Sequence, residues 1–138
     1  MWQQKEIVLS AKPYGFHLIT QEVISQLPEL GEINIGLLHV LLLHTSAGIT
    51  LNENADPTVR SDFGKFIRDL VKQDAGYFEH VYEGDDDMPA HIKSSLLGVE
   101  LTIPITNGRL NLGTWQGVYL GEFRKSGGSR RLLVTIQS

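Results

Sequence analysis

Three of the five histidines stand where they could meet around a metal ion. His44 follows the long apolar run 33–43, and His80 and His91 lie on either side of an acidic segment. Neutral imidazoles suit zinc, nickel, iron and copper, and three of them with an open fourth position form a known catalytic arrangement. The chain has no cysteine, so any metal must be held by His, Asp or Glu. We therefore predict a divalent-metal site at His44, His80 and His91.

The acidic segment EGDDDMPAHIKSSL at 83–96 has a structural interpretation beside a functional one. Its spacing predicts a helix that begins at Asp87 or Met88, with Pro89 in the first turn, where negative charge complements the helix dipole. One cap uses one aspartate, so the first two aspartates of the run are predicted to be solvated. The alternative is a cation site on the acidic run.

A third candidate is the block NGRLNLGTWQ at 107–116. Arg109 follows a tight turn and offers a planar fork to a phosphate or carboxylate. Thr114 and the glycine before it allow close backbone approach. Trp115 and Gln116 could stack on and hydrogen-bond a ring, although a Trp in a small domain more often belongs to the core.

Composition excludes several classes of protein. The chain has 138 residues, 41% of them hydrophobic and 20% charged, which are ordinary values for a single globular domain. The net charge of −4 argues against binding to nucleic acid. There is no signal-peptide pattern and no apolar stretch long enough to span a membrane. A cytoplasmic protein is the expectation.

Hydrophobic periodicity predicts an α+β domain that is largely antiparallel β-sheet or sandwich, with one long helix and one or two short ones. The run 33–43 is typical of a central strand covered on both faces. Asp56 is placed to cap the long helix and Pro57 to start it, and Asn107-Gly108 predicts a tight hairpin. The other predicted elements are strands at 6–10, 48–52, 101–106, 109–112, 116–123 and 130–136, short helices capped by Thr20 and at 89–97, and a last hairpin closed by 126–129.

Three blocks resemble the signature blocks of the YjbQ-like family, also called secondary thiamine-phosphate synthase enzymes. They are HTSAGITLNEN at 44–54, AHIKSSLLG at 90–98 and IPITNGRLNLGTWQGVYLGEF at 103–123. The likeness runs through essentially the whole chain. One departure is the segment 123–130, FRKSGGSR, where relatives often have an acidic-Gly-Pro-Arg turn.

The resemblance implies one YjbQ-like domain over residues 1–138, assembled as a cyclic homotrimer with a metal pocket lined by the same three histidines. It implies catalytic roles for Glu53 and Arg109, and a small phosphorylated molecule as substrate. The substrate-binding residues that it implies are Thr45, Asn52, Arg109, Thr114 and Gln116.

The activity implied by the resemblance joins hydroxymethylpyrimidine diphosphate to a thiazole phosphate and releases pyrophosphate, as a secondary activity. Magnesium usually accompanies a diphosphate, so the substrate could recruit it in addition to a zinc-like ion at the histidines. Two alternatives stay open. One is a metal- or small-ligand-binding trimer without significant catalysis, and the other is a metal-dependent hydrolase with Glu53 or an aspartate as base.

Overall fold

The computed structural model describes residues 1–138 as two antiparallel sheets with helices on one side. The strands are β1 (Trp2–Val8), β2 (Gly15–Leu18), β3 (Ile35–Leu42), β4 (Ala47–Glu53), β5 (Glu100–Thr106), β6 (Arg109–Leu110), β7 (Gln116–Glu122) and β8 (Arg131–Gln137). The helices are α1 (Thr20–Ile24), α2 (Pro57–Leu70) and α3 (Asp87–Leu97), with a 3₁₀ turn at Pro28–Glu32. The predicted α+β class is confirmed.

The two sheets enclose the main core. One sheet has the strand order β1-β8-β3-β5-β6 and the other β2-β7-β4. Strand β7 shows how alternation builds the layers: Val118 and Leu120 join the core between the sheets, while Tyr119 joins a smaller cluster with Phe16 and Phe123. Ring contacts of Phe63 on α2 with Phe16 and Tyr119 extend this cluster to the helices. The three-stranded sheet is thus the middle layer, between the five-stranded sheet and α2 and α3.

Strand β3 is central in its sheet, as predicted, but it is covered on one face only. Leu38 and Val40 are buried, whereas Ile35 is 76% exposed and Leu37 is 44% exposed. The prediction of cover on both faces was wrong for the single chain, because no element crosses the outer side of the five-stranded sheet. Ile35 and Leu37 share this outer face with polar residues such as His39, Thr102 and Thr135.

The helix starts follow the predictions in two of three cases. The side chain of Asp56 caps α2 by accepting from the Thr58 amide N–H (2.9 Å), and Pro57 is the first helical residue. Helix α3 begins at Asp87 as predicted. Thr20 was wrongly predicted as a cap, since its hydroxyl accepts from the Val118 amide N–H (2.8 Å) and ties α1 to β7. None of the helices combines the length and the hydrophobicity that a membrane crossing requires.

The segment 126–129 does not close a hairpin, because β7 and β8 belong to different sheets. It crosses from one sheet to the other over a buried ion pair. Arg130 donates from Nε to Glu122 Oε1 (2.7 Å) and from Nη2 to Oε2 (2.6 Å), and the two residues are only 4% and 0% exposed. Arg130 Nη2 also donates to Ser46 Oγ (2.9 Å), just before β4. One guanidinium therefore joins the ends of three strands.

Gly127 is packed against this ion pair. A Cβ added there would lie 2.5 Å from Glu122 Oε1 and 2.6 Å from Arg130 Nη2. We expect Gly127→Ala to lower the free energy of unfolding by about 1–3 kcal/mol, the usual cost of overpacking, as measured by chemical denaturation. Gly31→Ala is the matched control, since a Cβ at Gly31 meets no heavy atom within 4 Å. Equal stability of the two variants would contradict this packing.

Candidate functional site

Two histidines and one aspartate converge at the start of α3. Asp87 is the first residue of the helix, and His91 follows one turn later on the same face. His80 reaches the pair from the preceding loop. Oδ2 of Asp87 lies 2.7 Å from Nε2 of His80 and 3.1 Å from Nε2 of His91. These three residues offer ligand atoms that all lie within 4.8 Å of one another.

The two carboxylate oxygens of Asp87 have different partners. Its Oδ1 accepts from Nη1 of Arg124 (2.5 Å), which leaves Oδ2 for the histidines. Asp87 is 1% exposed. Burial raises its pKa, but the side-chain hydrogen bonds, first that from His80, and the positive charge of Arg124 outweigh that effect and keep the pKa below its ordinary value. The carboxylate therefore stays ionised at neutral pH.

The rest of the acidic run corrects one prediction and confirms another. Asp86 is not a solvated residue, because its Oδ2 accepts from Nε of Arg124 (3.1 Å) and from the Lys125 amide N–H (2.9 Å). Asp85 is solvated as predicted, with a side chain that is 73% exposed. Asp86 is thus engaged in holding the loop that carries Arg124.

The orientation of His91 leaves a lone pair facing the carboxylate. Its Nδ1 lies 2.8 Å from the backbone oxygen of Thr45. A carbonyl oxygen can only accept, so Nδ1 carries the proton, and in the neutral ring Nε2 presents its lone pair to Asp87 Oδ2. Two acceptors 3.1 Å apart require a cation or a second ring proton between them. A backbone carbonyl that fixes the tautomer is also the usual partner of a metal-binding histidine.

The donor set fits a zinc-like ion better than magnesium. Two imidazole nitrogens and one carboxylate oxygen are ligands that zinc and other first-row transition ions accept, with further positions left open. Magnesium prefers oxygen ligands in octahedral geometry. These donors suit the predicted zinc-like ion, with Asp87 as the third candidate donor, a residue that the sequence offered as a helix start or as part of a cation site on the acidic run.

His44 lies in the wall of the adjoining cavity and is not one of the three clustered residues. The cavity has a volume of about 620 Å³ and also touches Thr45 and His91. Nε2 of His44 accepts from the Arg131 amide N–H (2.9 Å). Burial, followed by the positive charges of Arg130 and Arg131, lowers the pKa of His44. The neutral ring then carries its proton on Nδ1 and offers a donor, so its predicted role as a ligand gains no support from this arrangement.

The remaining predicted site residues lie at the other end of β4. Glu53 is the last residue of that strand, which starts at Ala47 near the cavity, and seven strand residues span about 20 Å. The Glu53 carboxylate accepts from the Asp56 amide N–H (3.0 Å). Within one chain the structure does not bring this group to the histidines. Its members are Asn52 and Glu53 on β4, Gln116 opposite Glu53 on β7, and Thr114 just before β7, whereas Arg109 lies on β6 of the other sheet.

The other two histidines and Trp115 fall outside the candidate site. His17 Nε2 donates to the Pro13 carbonyl (2.8 Å), and His39 lies 3.0 Å from Glu100 on the outer sheet face. Trp115 is 64% exposed, so it does not belong to the core. The sequence interpretation did not group Asp87 with the histidines, although the four-residue step from Asp87 to His91 places both side chains on one helix face.

Comparison with known proteins assigns the chain to a family. The family model described as "UPF0047 protein YjbQ-like" matches residues 5–138. The chain is 58% identical over 137 residues to the UPF0047 protein YjbQ of Escherichia coli O157:H7, with 99% of each covered. It is 40% identical over 133 residues to a UPF0047 protein of Synechocystis, covering 96% of this chain and 90% of the relative.

Two solved structures agree. An uncharacterized protein of the yjbq/upf0047 family from Clostridium acetobutylicum is 39% identical with a TM-score of 0.83, covering 96% of this chain and 99% of that one. A YbjQ-like protein from Sulfolobus solfataricus P2 is 26% identical with a TM-score of 0.83, covering 99% and 96%. The chain therefore belongs to the YjbQ-like UPF0047 family.

Proposed function

We propose that this protein is a metal-dependent enzyme that acts on a small phosphorylated substrate. The observation that carries the proposal is the cluster of His80, Asp87 and His91, in which the Thr45 carbonyl holds Nδ1 of His91 and Nε2 lies 3.1 Å from a buried carboxylate. When bound, a zinc-like ion supplies Lewis-acid stabilisation of negative charge on phosphate oxygens. The adjoining cavity of about 620 Å³ has room for a small metabolite.

The cavity wall suits a polar, anionic ligand. Its hydroxyl groups come from Thr45, Ser94 and Ser95, and only one of its seven lining residues is hydrophobic. Nδ1–H of the neutral His44 has no acceptor within the chain and is available to a substrate oxygen. Behind the wall, Arg130 is held by Glu122 and keeps Ser46 in place. These groups bind and orient, while the clustered residues hold the ion.

The specific reaction that we propose for this site is of the thiamine phosphate synthase type, which the family resemblance implies. The thiazole nitrogen forms a bond to the methylene carbon of hydroxymethylpyrimidine diphosphate. The carbon–oxygen bond to the diphosphate breaks, and its electron pair leaves with pyrophosphate. Charge develops on that leaving group, so a cation at the His80–Asp87–His91 cluster and an arginine fork are the stabilising groups that the step needs. Magnesium carried in with the diphosphate is compatible with this scheme.

A homotrimer would add a second arginine fork at the cluster, where Arg124 is already engaged by Asp86 and Asp87. Arg109 lies in a separate cavity with Thr106 and Asn111, away from the histidines. In a cyclic assembly one face of a subunit contacts a different face of the next, so the Arg109 group of one subunit can complete the histidine cavity of its neighbour. The exposed apolar residues Ile35 and Leu37 support a covered outer sheet face.

Metal binding is the first prediction. We expect the purified protein to retain about one zinc-like ion per chain, and His80→Ala or His91→Ala to weaken zinc binding by more than about a hundredfold, since loss of even an outer partner costs ten- to hundredfold. Elemental analysis and calorimetric titration of the chelator-treated protein measure this. His39→Ala is the control because His39 pairs with Glu100 outside the cavity. Full zinc retention by His91→Ala would exclude the cluster as the site.

Subunit complementation is the second prediction, and it tests catalysis and assembly together. We expect His91→Ala and Arg109→Ala each to be inactive in pyrophosphate release from the two thiamine precursors. Trimers reassembled from equal amounts of both should recover about one quarter of the activity, because random mixing leaves about one site in four with both residues intact. Light scattering should give three times the 15.4 kDa chain mass. No recovery in mixed trimers would contradict a site shared between subunits.

A hydrolase is the second candidate, favoured by the three-ligand donor set, which leaves open positions where an ion can lower the pKa of water. Glu53 is a poor base for it within one chain, because its carboxylate accepts from the Asp56 amide at the far end of β4. We expect hydrolysis of phosphomonoesters or lactones with added zinc or manganese to exceed the synthase rate if this candidate is right. Hydrolysis unchanged by His91→Ala would count against it.

A further inference from the structure

A second cavity is lined by three cationic side chains and by no carboxylate. It lies between α2 and the turn that enters β2, has a volume of about 280 Å³, and is touched by Arg60, Lys65, Arg68 and Tyr14. Behind Tyr14 stands Lys93 of α3, whose Nζ donates to the Tyr14 hydroxyl (3.1 Å). The whole chain has a net charge of −4, so this concentration of cations opposes the overall balance.

None of these four cations is neutralised within the chain. Neither the two arginines nor the two lysines lie within 4.0 Å of a carboxylate oxygen. The other cationic side chains near buried acids, such as Arg124 and Arg130, are paired. Lys65 and Arg68 are exposed, so water screens part of their repulsion, whereas Lys93 is buried and its charge is left without a carboxylate partner.

Lys93 is the cation of this group whose burial costs the most desolvation free energy. It is 6% exposed, and Tyr14 is the one hydrogen-bond partner of its three N–H donors. Its ammonium lies 4.8 Å from the centroid of the Tyr14 ring, while Arg68 lies 4.9 Å from the same centroid. Two cations thus share one aromatic ring. Cation–π contacts offset part of the desolvation of a buried ammonium, but they do not neutralise its charge.

Arg60 adds an unused donor in the same cavity. Its Nη1 is the buried side-chain polar atom of the chain that has no hydrogen-bond partner. Buried donors are nearly always satisfied, so Arg60, a residue of the cavity wall, is unusual in carrying an unpartnered guanidinium nitrogen. Gly64, also in the cavity wall, leaves open space where a side chain would project, because a Cβ there meets no heavy atom within 4 Å.

We propose that this cavity binds a phosphate group, free or as the monoester of a small metabolite. A phosphate dianion balances more than one cation, and its oxygens accept the forked donors of arginine. The site is separate from the histidine cluster, because the two cavities share no lining residue and Lys93 and His91 point about 160° apart around α3. The proposal stands independently of the metal-dependent activity and adds a second ligand site between α2 and β2.

Calorimetric titration with inorganic phosphate and with glycerol phosphate, at ionic strength held constant with chloride, tests the site. We expect saturable binding of one phosphate per chain, weakened about ten- to hundredfold by Arg60→Gln, because hydrogen bonds to charged groups carry that much. Lys5→Gln is the charge-matched control on β1, where Lys5 pairs with Glu29. Tighter binding of the ester identifies a metabolite, and equal binding identifies phosphate itself. Equal weakening by both variants overturns the proposal.

Two further variants separate this site from the histidine cavity and from a merely structural lysine. His91→Ala should bind phosphate as the unaltered protein does, and loss of binding there would assign the phosphate to the histidine cavity instead. Lys93→Met should melt at a higher temperature than the unaltered protein without phosphate, and it should lose the rise in melting temperature that phosphate causes. A lower melting temperature with the phosphate-dependent rise retained overturns the part assigned to Lys93.

Discussion

The buried ion pair between Glu122 and Arg130 is the constraint on which the arrangement of this protein depends. Taking both charges out of water costs several kcal/mol each, and only full hydrogen bonding offsets that cost. The pair meets this condition: two parallel hydrogen bonds join the side chains, and Arg130 also donates to Ser46. Ser46 is next to Thr45, whose carbonyl fixes the tautomer of His91. An interaction that joins the two sheets thereby also orients a candidate ligand.

Asp87 is a second buried carboxylate whose charge is offset by an arginine. Asp87 accepts from Arg124 on one oxygen and faces the two histidines with the other. The arginine offsets the burial of the charge, yet it leaves Oδ2 without a fixed positive partner. Both oxygens of Glu122 accept from its arginine, whereas only one oxygen of Asp87 accepts from an arginine. That difference separates a structural ion pair from a group able to share a cation.

Local signals in the sequence predicted much of the fold, and long-range pairing limited the rest. Asp56 and Pro57 start α2 as predicted, and Asn107, with φ of 50°, makes the predicted tight turn. The glycine-rich segment 126–129 resembled a hairpin turn, but which sheet receives the next strand depends on contacts far away in sequence. The same holds for the site, since Arg124 and Asp87 are 37 residues apart. Of the three histidines predicted to converge, His80 and His91 do. Asp87, which lies between them, also had a structural interpretation as a helix start.

The division of the predicted site residues follows from the sheet itself. A strand of seven residues holds its two ends about 20 Å apart, and no side-chain rotation closes that gap. The histidine group at the start of β4 and the Glu53 group at its end can therefore act on one substrate only across a subunit boundary. Ile35 and Leu37 are exposed apolar residues on the outer face of the five-stranded sheet, beside polar residues such as His39 and Thr102. The length of the strand therefore explains why the proposed mechanism, which uses both groups, includes a second copy of the chain.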